Sequence, residues 1–328
     1  MVRILYTLND GNFRTDLEPA AIAPILKQGD AFVWVDLFGE PLATGEQILR
    51  HIFNFHPLAI DDALHEVHLP KLDDWQKYLY IVLHGIHLQE SDKTSLSNPE
   101  LDIFLGPNYI VTYHKVPLTA VDRVWETCQR DERLRQNGPD HLLYRLADEL
   151  VTDYMSAVEQ LEVALDHLED AIFASPTSGT LEQIFTLKRI VLRMRRVVAP
   201  QREVLNKLAR DPYEMIDPAD RVYFRDVYDH LIRLYDLIDN FRDLVTGALD
   251  TYLSVINNRM NDIMKTLTIF TTLFMPLTFI TGFFGMNFFQ PSIPLEVWTG
   301  RIMFMATLLV IALVPVGMFW WMRRRTWM

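Results

Sequence analysis

The end of the chain sets the terms for everything before it. Residues 267–284 form an apolar run without a single charge. Residues 302–322 form a second, which Arg323-Arg324-Arg325 stops abruptly. Each run approaches or exceeds the ~20 residues that cross a ~30 Å hydrocarbon core at 1.5 Å per residue. The segment between them is too short to be a domain of its own. This predicts a helical hairpin in a membrane, attached to a long polar body.

Charge gives the hairpin a direction. Arg259 and Lys265 precede the first run, Arg323–Arg325 follow the second, and residues 287–300 contain neither Lys nor Arg. The positive-inside rule then places both termini in the cytoplasm and the Gly285-Met286-Asn287 turn outside, in a multi-pass protein of the cytoplasmic membrane whose partners include lipid. Arg301 can snorkel to the outer interface. The whole chain carries −12, and residues 267–328 set four arginines against Glu296, so the remainder holds −15. Such an acidic body argues against nucleic acid as a partner, because phosphate binding needs the opposite sign, and it is compatible with cations. Cys128 stands alone, so no intrachain disulfide is expected. The opening MVRILYTLNDG turns polar too soon for a signal peptide, which leaves targeting to the hairpin.

The body has two textures. Residues 1–116 read as an α/β domain, with strands at 3–8, 31–37, 78–88, 101–105 and 109–113 and helices at 43–55 and 57–65. Residues 117–216 read as helical, with patterns over 120–135, 140–174 and 180–209. Thr180 is the expected cap of the last, with Gln183 in the capping-box position. After Asp217-Pro218 no proline occurs until Pro276. That predicts one helix over 219–284, a stalk at 217–266 running into a first span at 267–286. An external loop at 287–300, a second span at 301–322 and a basic cytoplasmic tail at 323–328 complete the chain.

Within this helix, Asn257, Asn261, Met264, Thr268, Thr271, Met275, Thr278 and Gly282 recur at alternating spacings of four and three, a heptad-like stripe. Small and hydroxyl residues also pack helix against helix in lipid. The two amides at the lower end, and Asn287 above, favour a line that meets water and ions. An amide oxygen offers a dipole without net charge. It can hold the water shell of Mg²⁺, an ion reluctant to dehydrate, and still let the ion go. A single hairpin is too thin to enclose a pore, so conduction requires a homo-oligomer. No nucleophile–base arrangement, phosphate loop or cofactor motif stands in the sequence, which argues against an enzyme and against an organic cofactor. His65-Glu66-Val67-His68, with His56 nearby, lacks the spacing of a metallohydrolase helix and reads as an exposed pair.

These motifs together resemble the CorA family of divalent-cation channels. The hallmark Gly-Met-Asn stands here as Gly285-Met286-Asn287, within NRMNDIMKTLTIFTTLFMPLTFITGFFGMNF (258–288). YFRDVYDHLIRL (223–234) and FRDLVTGALDTYLS (241–254) are similar to the family's stalk. HPLAIDDAL (56–64) and LLYRLADELVTDYM (142–155) are similar to its cytoplasmic domain. The resemblance implies a funnel-shaped homopentamer whose long helices line the pore. It also implies transport of Mg²⁺, with Co²⁺ and sometimes Ni²⁺, and closure by cytoplasmic Mg²⁺ bound between subunits, so that Mg²⁺ is both substrate and regulatory ligand.

Carried over by residue, the resemblance implies Gly285, Met286 and Asn287 as the selectivity filter. Thr278, Met275, Thr271, Leu267 and Met264 become pore positions, continued by Asn261 and Asn257, with Met264 and Leu267 as a hydrophobic constriction. Asp250 corresponds to a stalk aspartate facing Asp62 of the neighbouring subunit, with Asp61 nearby, while Asp148 and Asp226 correspond to a second cation site. Phe284 departs from the tyrosine that commonly precedes Gly-Met-Asn, and Glu296 is the one acidic residue of the external loop. Two other readings follow from the same residues: a Zn²⁺ transporter of the related branch, and a membrane-anchored Mg²⁺ sensor or scaffold that transports nothing.

Overall fold

The computed structural model describes residues 1–7, 13–15, 17–26, 31–65, 69–88, 96–130, 137–286 and 300–325. These divide into two compact units, Met1–Thr251 and Tyr252–Met328.

The first unit begins with β1 (Val2–Thr7), β2 (Phe13–Arg14), α1 (Ile22–Leu26) and β3 (Phe32–Phe38). It continues through α2 (Leu42–Gln47), α3 (Pro57–His65), β4 (Lys71–Asp74), β5 (Leu79–His84), β6 (His87–Leu88), β7 (Leu96–Ser97), β8 (Glu100–Leu105) and β9 (Tyr109–His114). Seven of these strands make one sheet in the order β2-β1-β3-β9-β8-β5-β4. Only the β3–β9 pairing is parallel, with Trp34 opposite Ile110 and Asp36 opposite Thr112. The central strands are buried on both faces, so they read as nearly unbroken Val, Ile, Leu and aromatic runs. One face packs Val33, Val35, Tyr80, Phe104 and Val111 against Ala59, Ile60, Ala63 and Leu64 of α3. On the other, Trp34 meets Trp125 of α4 (Thr119–Arg130), ring centroids 4.9 Å apart. The result is an α/β layer, as the interleaved pattern predicts.

A charge lies inside that core. Asp36 is fully buried and accepts from Arg3 Nε and Nη2 at 2.9 and 2.6 Å and from the Thr112 hydroxyl at 2.6 Å. His114 Nε2 lies 3.2 Å from the same carboxylate. Burial by itself would raise the Asp36 carboxyl. The hydrogen bond and charge of His114, then Thr112 and Arg3, outweigh it and hold the group below the usual carboxylate range. Asp102, equally buried, goes the other way. Burial, followed by the charge of Glu100, pushes it well above that range while Tyr80 donates to it at 2.6 Å.

The strand read over 78–88 divides into β5 and β6 at Gly85-Ile86, and β2, β4, β7 and α1 are additions to the sequence pattern. Two further elements differ locally. The helix read over 43–55 closes after α2 into a wider turn, Ile48–Ile52, and Asn54 ends it at φ 55°. Asn tolerates that left-handed conformation better than most residues. α5 (Pro139–Ala174) and α6 (Ser178–Arg210) follow, and the cap of α6 is Thr177 rather than Thr180. Thr177 is extended, so its hydroxyl accepts from the Thr180 amide, and the Thr180 hydroxyl accepts in return from the Thr177 amide. Ser178 and Gly179 have already entered the helix, which places Thr180 at the third helical position.

α7 (Arg221–Gly285) is a single helix of 65 residues. Asp217 accepts from the Ala219 amide at 2.8 Å just ahead of it, and the helix begins at Arg221 after one turn. α8 (Arg301–Arg324) carries Arg323 and Arg324 in its last turn, where cations suit the helix dipole. Both helices are long and apolar enough to cross a membrane. In the spanning stretches, unlike in a soluble protein's core helix, the apolar side chains are largely uncovered: Phe279 is 73% exposed and Ile302 87%.

Candidate functional site

Within Tyr252–Met328, partial burial recurs at helical spacing. On α7 it falls on Ile269, Thr272, Leu273, Pro276, Leu277 and Ile280. On α8 it falls on Thr307, Ile311, Val314, Pro315 and Met318, with Met322 fully buried. A small cavity of about 190 Å³, lined by Lys265, Thr268, Ile269 and Thr272 of one helix and Met322 of the other, lies where these faces meet. Most of the stripe occupies a different face, with Thr268 at its edge bordering that cavity. Asn257, Asn261, Met264, Thr268, Thr271, Met275, Thr278 and Gly282 are all exposed, as is Leu267. Met275 is 71% exposed, and a Cβ at Gly282 would meet nothing within 4 Å. Apart from the flank of Thr268, the chain's own second span therefore leaves the polar stripe open.

The hydroxyls of this stripe have a defined polarity. Thr268 donates to the Met264 carbonyl at 2.7 Å, Thr271 to Leu267 at 2.9 Å and Thr278 to Phe274 at 3.0 Å. Such bonds to the carbonyl one turn back satisfy a donor that lipid cannot satisfy. They also leave the hydroxyl oxygens with lone pairs to offer. An acceptor row of this kind suits the outward-pointing hydrogens of water around a cation. Met264 and Leu267, one turn below, offer thioether and hydrocarbon instead.

The carboxylates fall into two groups. Asp61 and Asp62 sit side by side on α3. Asp61 Oδ1 lies 3.0 Å from His65 Nδ1 and lines a surface cavity of about 250 Å³ with Glu46, Arg50 and Leu58. Asp62 accepts from Lys71 Nζ of β4 at 2.5 Å, and the same ammonium is 3.2 Å from Asp73. Asp250 is exposed on α7. The pairing that the resemblance implies would join Asp250 to Asp62 of another subunit, and a single chain does not test it. Asp148 of α5 and Asp226 of α7 are brought near enough to influence each other. Burial first, then Glu149 and Asp226, raise the Asp148 carboxyl, against the pull of Arg145 and His230. Arg145 Nη1 is 3.4 Å from Asp148.

Among the described residues, no group of three or more His, Cys, Asp or Glu could hold a metal ion. The donors present are hard carboxylate oxygens in ones and twos. That set fits a cation such as Mg²⁺, which keeps most of its waters and takes one or two carboxylates per site. Several expectations lie outside the described residues: Asn287, the loop around it with Glu296, and Glu66, Val67 and His68. The Phe284 side chain and the far end of the helix read over 120–135 also fall there. Lys71 was invisible to sequence reasoning. KLDD has no apolar alternation, because β4 is the sheet's edge strand, and a lysine following Pro70 within reach of Asp61, Asp62, Asp73 and Asp74 was the available signal.

The family profile described as CorA-like Mg²⁺ transporter protein matches residues 29–324. The chain belongs to the CorA family. It is 35% identical over 299 residues to the "Putative metal ion transporter YfjQ" of Bacillus subtilis, covering 90% of both chains. It is 34% identical over 297 residues to the cobalt/magnesium transport protein CorA of Thermotoga maritima, covering 90% of this chain and 83% of that one. The complete structure of the CorA magnesium transporter from Methanocaldococcus jannaschii superposes with a TM-score of 0.83 at 22% identity, over 100% of this chain and 99% of that one. The fold is thus that of a full-length CorA: a soluble α/β domain, a long helix and C-terminal membrane helices. CorA members transport divalent cations through membranes and are not enzymes.

Proposed function

We propose that this CorA-family chain is a Mg²⁺ uptake channel of the cytoplasmic membrane that also carries Co²⁺ and, as some members of the family do, Ni²⁺. It works as a homopentamer with both termini in the cytoplasm, and Mg²⁺ bound between subunits closes it. The observation that carries this reading is the open polar face of α7. Five copies of that face around an axis supply rings of amide, thioether and hydroxyl groups, and the second span of each copy reaches only the flank of this face at Thr268. Residues 217–266 serve as the stalk, 267–286 as the pore span, 287–300 as the external mouth and 301–322 as the lipid-facing span.

In this channel Asn287 sets selectivity by holding a hydrated ion, while Met264 and Leu267 form the constriction that dewets when closed. Asp62 and Asp250 face each other across subunits, and Mg²⁺ turns their repulsion into a clamp. The chemistry supports Mg²⁺ over Zn²⁺, since the donors are carboxylates, amides and hydroxyls rather than thiolates or clustered imidazoles.

Divalent uptake into proteoliposomes, with internal Mg²⁺ varied and Co²⁺, Ni²⁺ and Zn²⁺ as competitors, tests the proposal. Flux should fall as internal Mg²⁺ rises, and N287A should abolish Mg²⁺ flux while leaving assembly intact. M264S should leak even at high internal Mg²⁺. Normal Mg²⁺ flux in N287A, or preference for Zn²⁺, overturns the reading. Absence of any divalent flux would leave the chain a membrane-anchored sensor.

A further inference from the structure

We propose that Lys71 is a built-in counter-cation of Asp62, one that competes with Mg²⁺ and sets the internal concentration at which the channel shuts. The inference rests on the proposed regulatory role of Asp62 and deepens it.

The geometry is specific. Lys71 and Asp73 are two residues apart on β4, opposite Val82 and Tyr80 of β5, so their side chains leave the edge of the sheet on the same face. The Lys71 ammonium sits 2.5 Å from Asp62 Oδ2, 3.2 Å from Asp73 Oδ2 and 5.2 Å from the centre of the buried Tyr80 ring. Two carboxylates and an aromatic face thus hold it at once. All three charged side chains are only partly exposed, so solvent weakens their interaction less than it would on an open surface.

A divalent ion approaching Asp62 meets a carboxylate already neutralised by an ammonium. It must share that carboxylate against repulsion or displace the ammonium. Asp73 gives the ammonium somewhere to go without leaving the face. The lysine therefore bridges the two carboxylates, and Mg²⁺ binding at Asp62 leaves it on Asp73 alone. Removing the charge should tighten Mg²⁺ binding. Removing the second carboxylate should weaken it.

The test uses the full-length protein in lipid nanodiscs and in proteoliposomes. Two midpoints are read against Mg²⁺: protection of the body from proteinase K, and closure of flux. K71M should lower both midpoints about tenfold, within the usual range of coupling between sites. K71R keeps the charge and should stay near the parent. D73N should raise both midpoints, and K71M/D62N should match D62N, since the lysine acts through Asp62. An unchanged or higher midpoint in K71M overturns the inference, as does an equal fall in K71R, which would indicate lost packing rather than lost charge. If D62N shifts the midpoints and K71M does not, the counter-cation alone is rejected. If D62N shifts neither, Asp62 is not a regulatory ligand and both ideas fall.

Discussion

The two units of this chain use the same apolar residues in opposite ways. In Met1–Thr251, Leu105 of β8 is fully buried between Leu79 and Ile110 on the neighbouring strands. In Tyr252–Met328, Leu309 of α8 is 60% exposed on the side away from the partly buried face. The first arrangement is stabilised by taking hydrocarbon out of water. The second makes sense only where the surroundings are themselves hydrocarbon. Polar groups show the same inversion. Thr112 in the first unit donates to a buried carboxylate, whereas Thr271 in the second returns its proton to its own helix. Solvent, rather than residue type, decides which side of an element is the inside.

The sharpest way to break this comparison is through the charge that the first unit keeps in its core. D36A leaves Arg3 and His114 facing a lost carboxylate, and should cost about 3–5 kcal/mol of stability. The pH dependence has a definite sign. Asp36 is held below its unfolded value of ~3.9, so its contribution is fully present above that value and lost as pH falls through the lowered one. Asp102 is raised, so its contribution is present at low pH and lost as pH rises through the raised value. Unfolding midpoints against pH should therefore lose acid sensitivity in D36N and alkaline sensitivity in D102N.

The leucines provide the next test. L105A should cost about 2–5 kcal/mol in denaturant unfolding, and L309A should leave that transition unmoved. L309K reverses the ranking in a membrane-integration assay, where a charge at mid-span disfavours insertion by about 2.5–3.5 kcal/mol. Equal effects of L105A and L309A on unfolding would mean that the second span is buried in protein rather than lipid. The smallest expected effect is T177A, about 1 kcal/mol from the lost cap of α6, with T180A costing less because its hydroxyl serves only the reciprocal bond.

How much of this was legible in the residues follows the same division. The two spans, the long strands β1, β3, β5, β8 and β9 and the unbroken α7 could be read because each is a long periodic or uniform pattern. β4 could not, since an edge strand of Lys and Asp carries no burial signal. The turn at Ile48–Ile52 and the shift of the cap from Thr180 to Thr177 are choices of a few residues that tertiary packing makes. The stripe was visible as spacing, but its openness was not, because which face the second span covers is a property of two helices. The Lys71–Asp62 contact joins a helix to an edge strand across residues 66–68, and no local pattern announces it.

One property of the threonine row reaches beyond packing. From Thr266 to Gly285, α7 contains no side chain that gains or loses a proton in the physiological range. Its hydroxyls already direct their hydrogens at carbonyls of the preceding turn. In the proposed channel, a passage walled this way would present hydroxyl oxygens, thioether and hydrocarbon but no free hydroxyl donor, so it would disfavour chloride and phosphate without placing any fixed negative charge in the bilayer. It also has nothing to titrate. Acidification of either compartment would leave this stretch unaltered, and any pH dependence of conduction would have to originate in ionisable groups outside it, the histidines of the body among them.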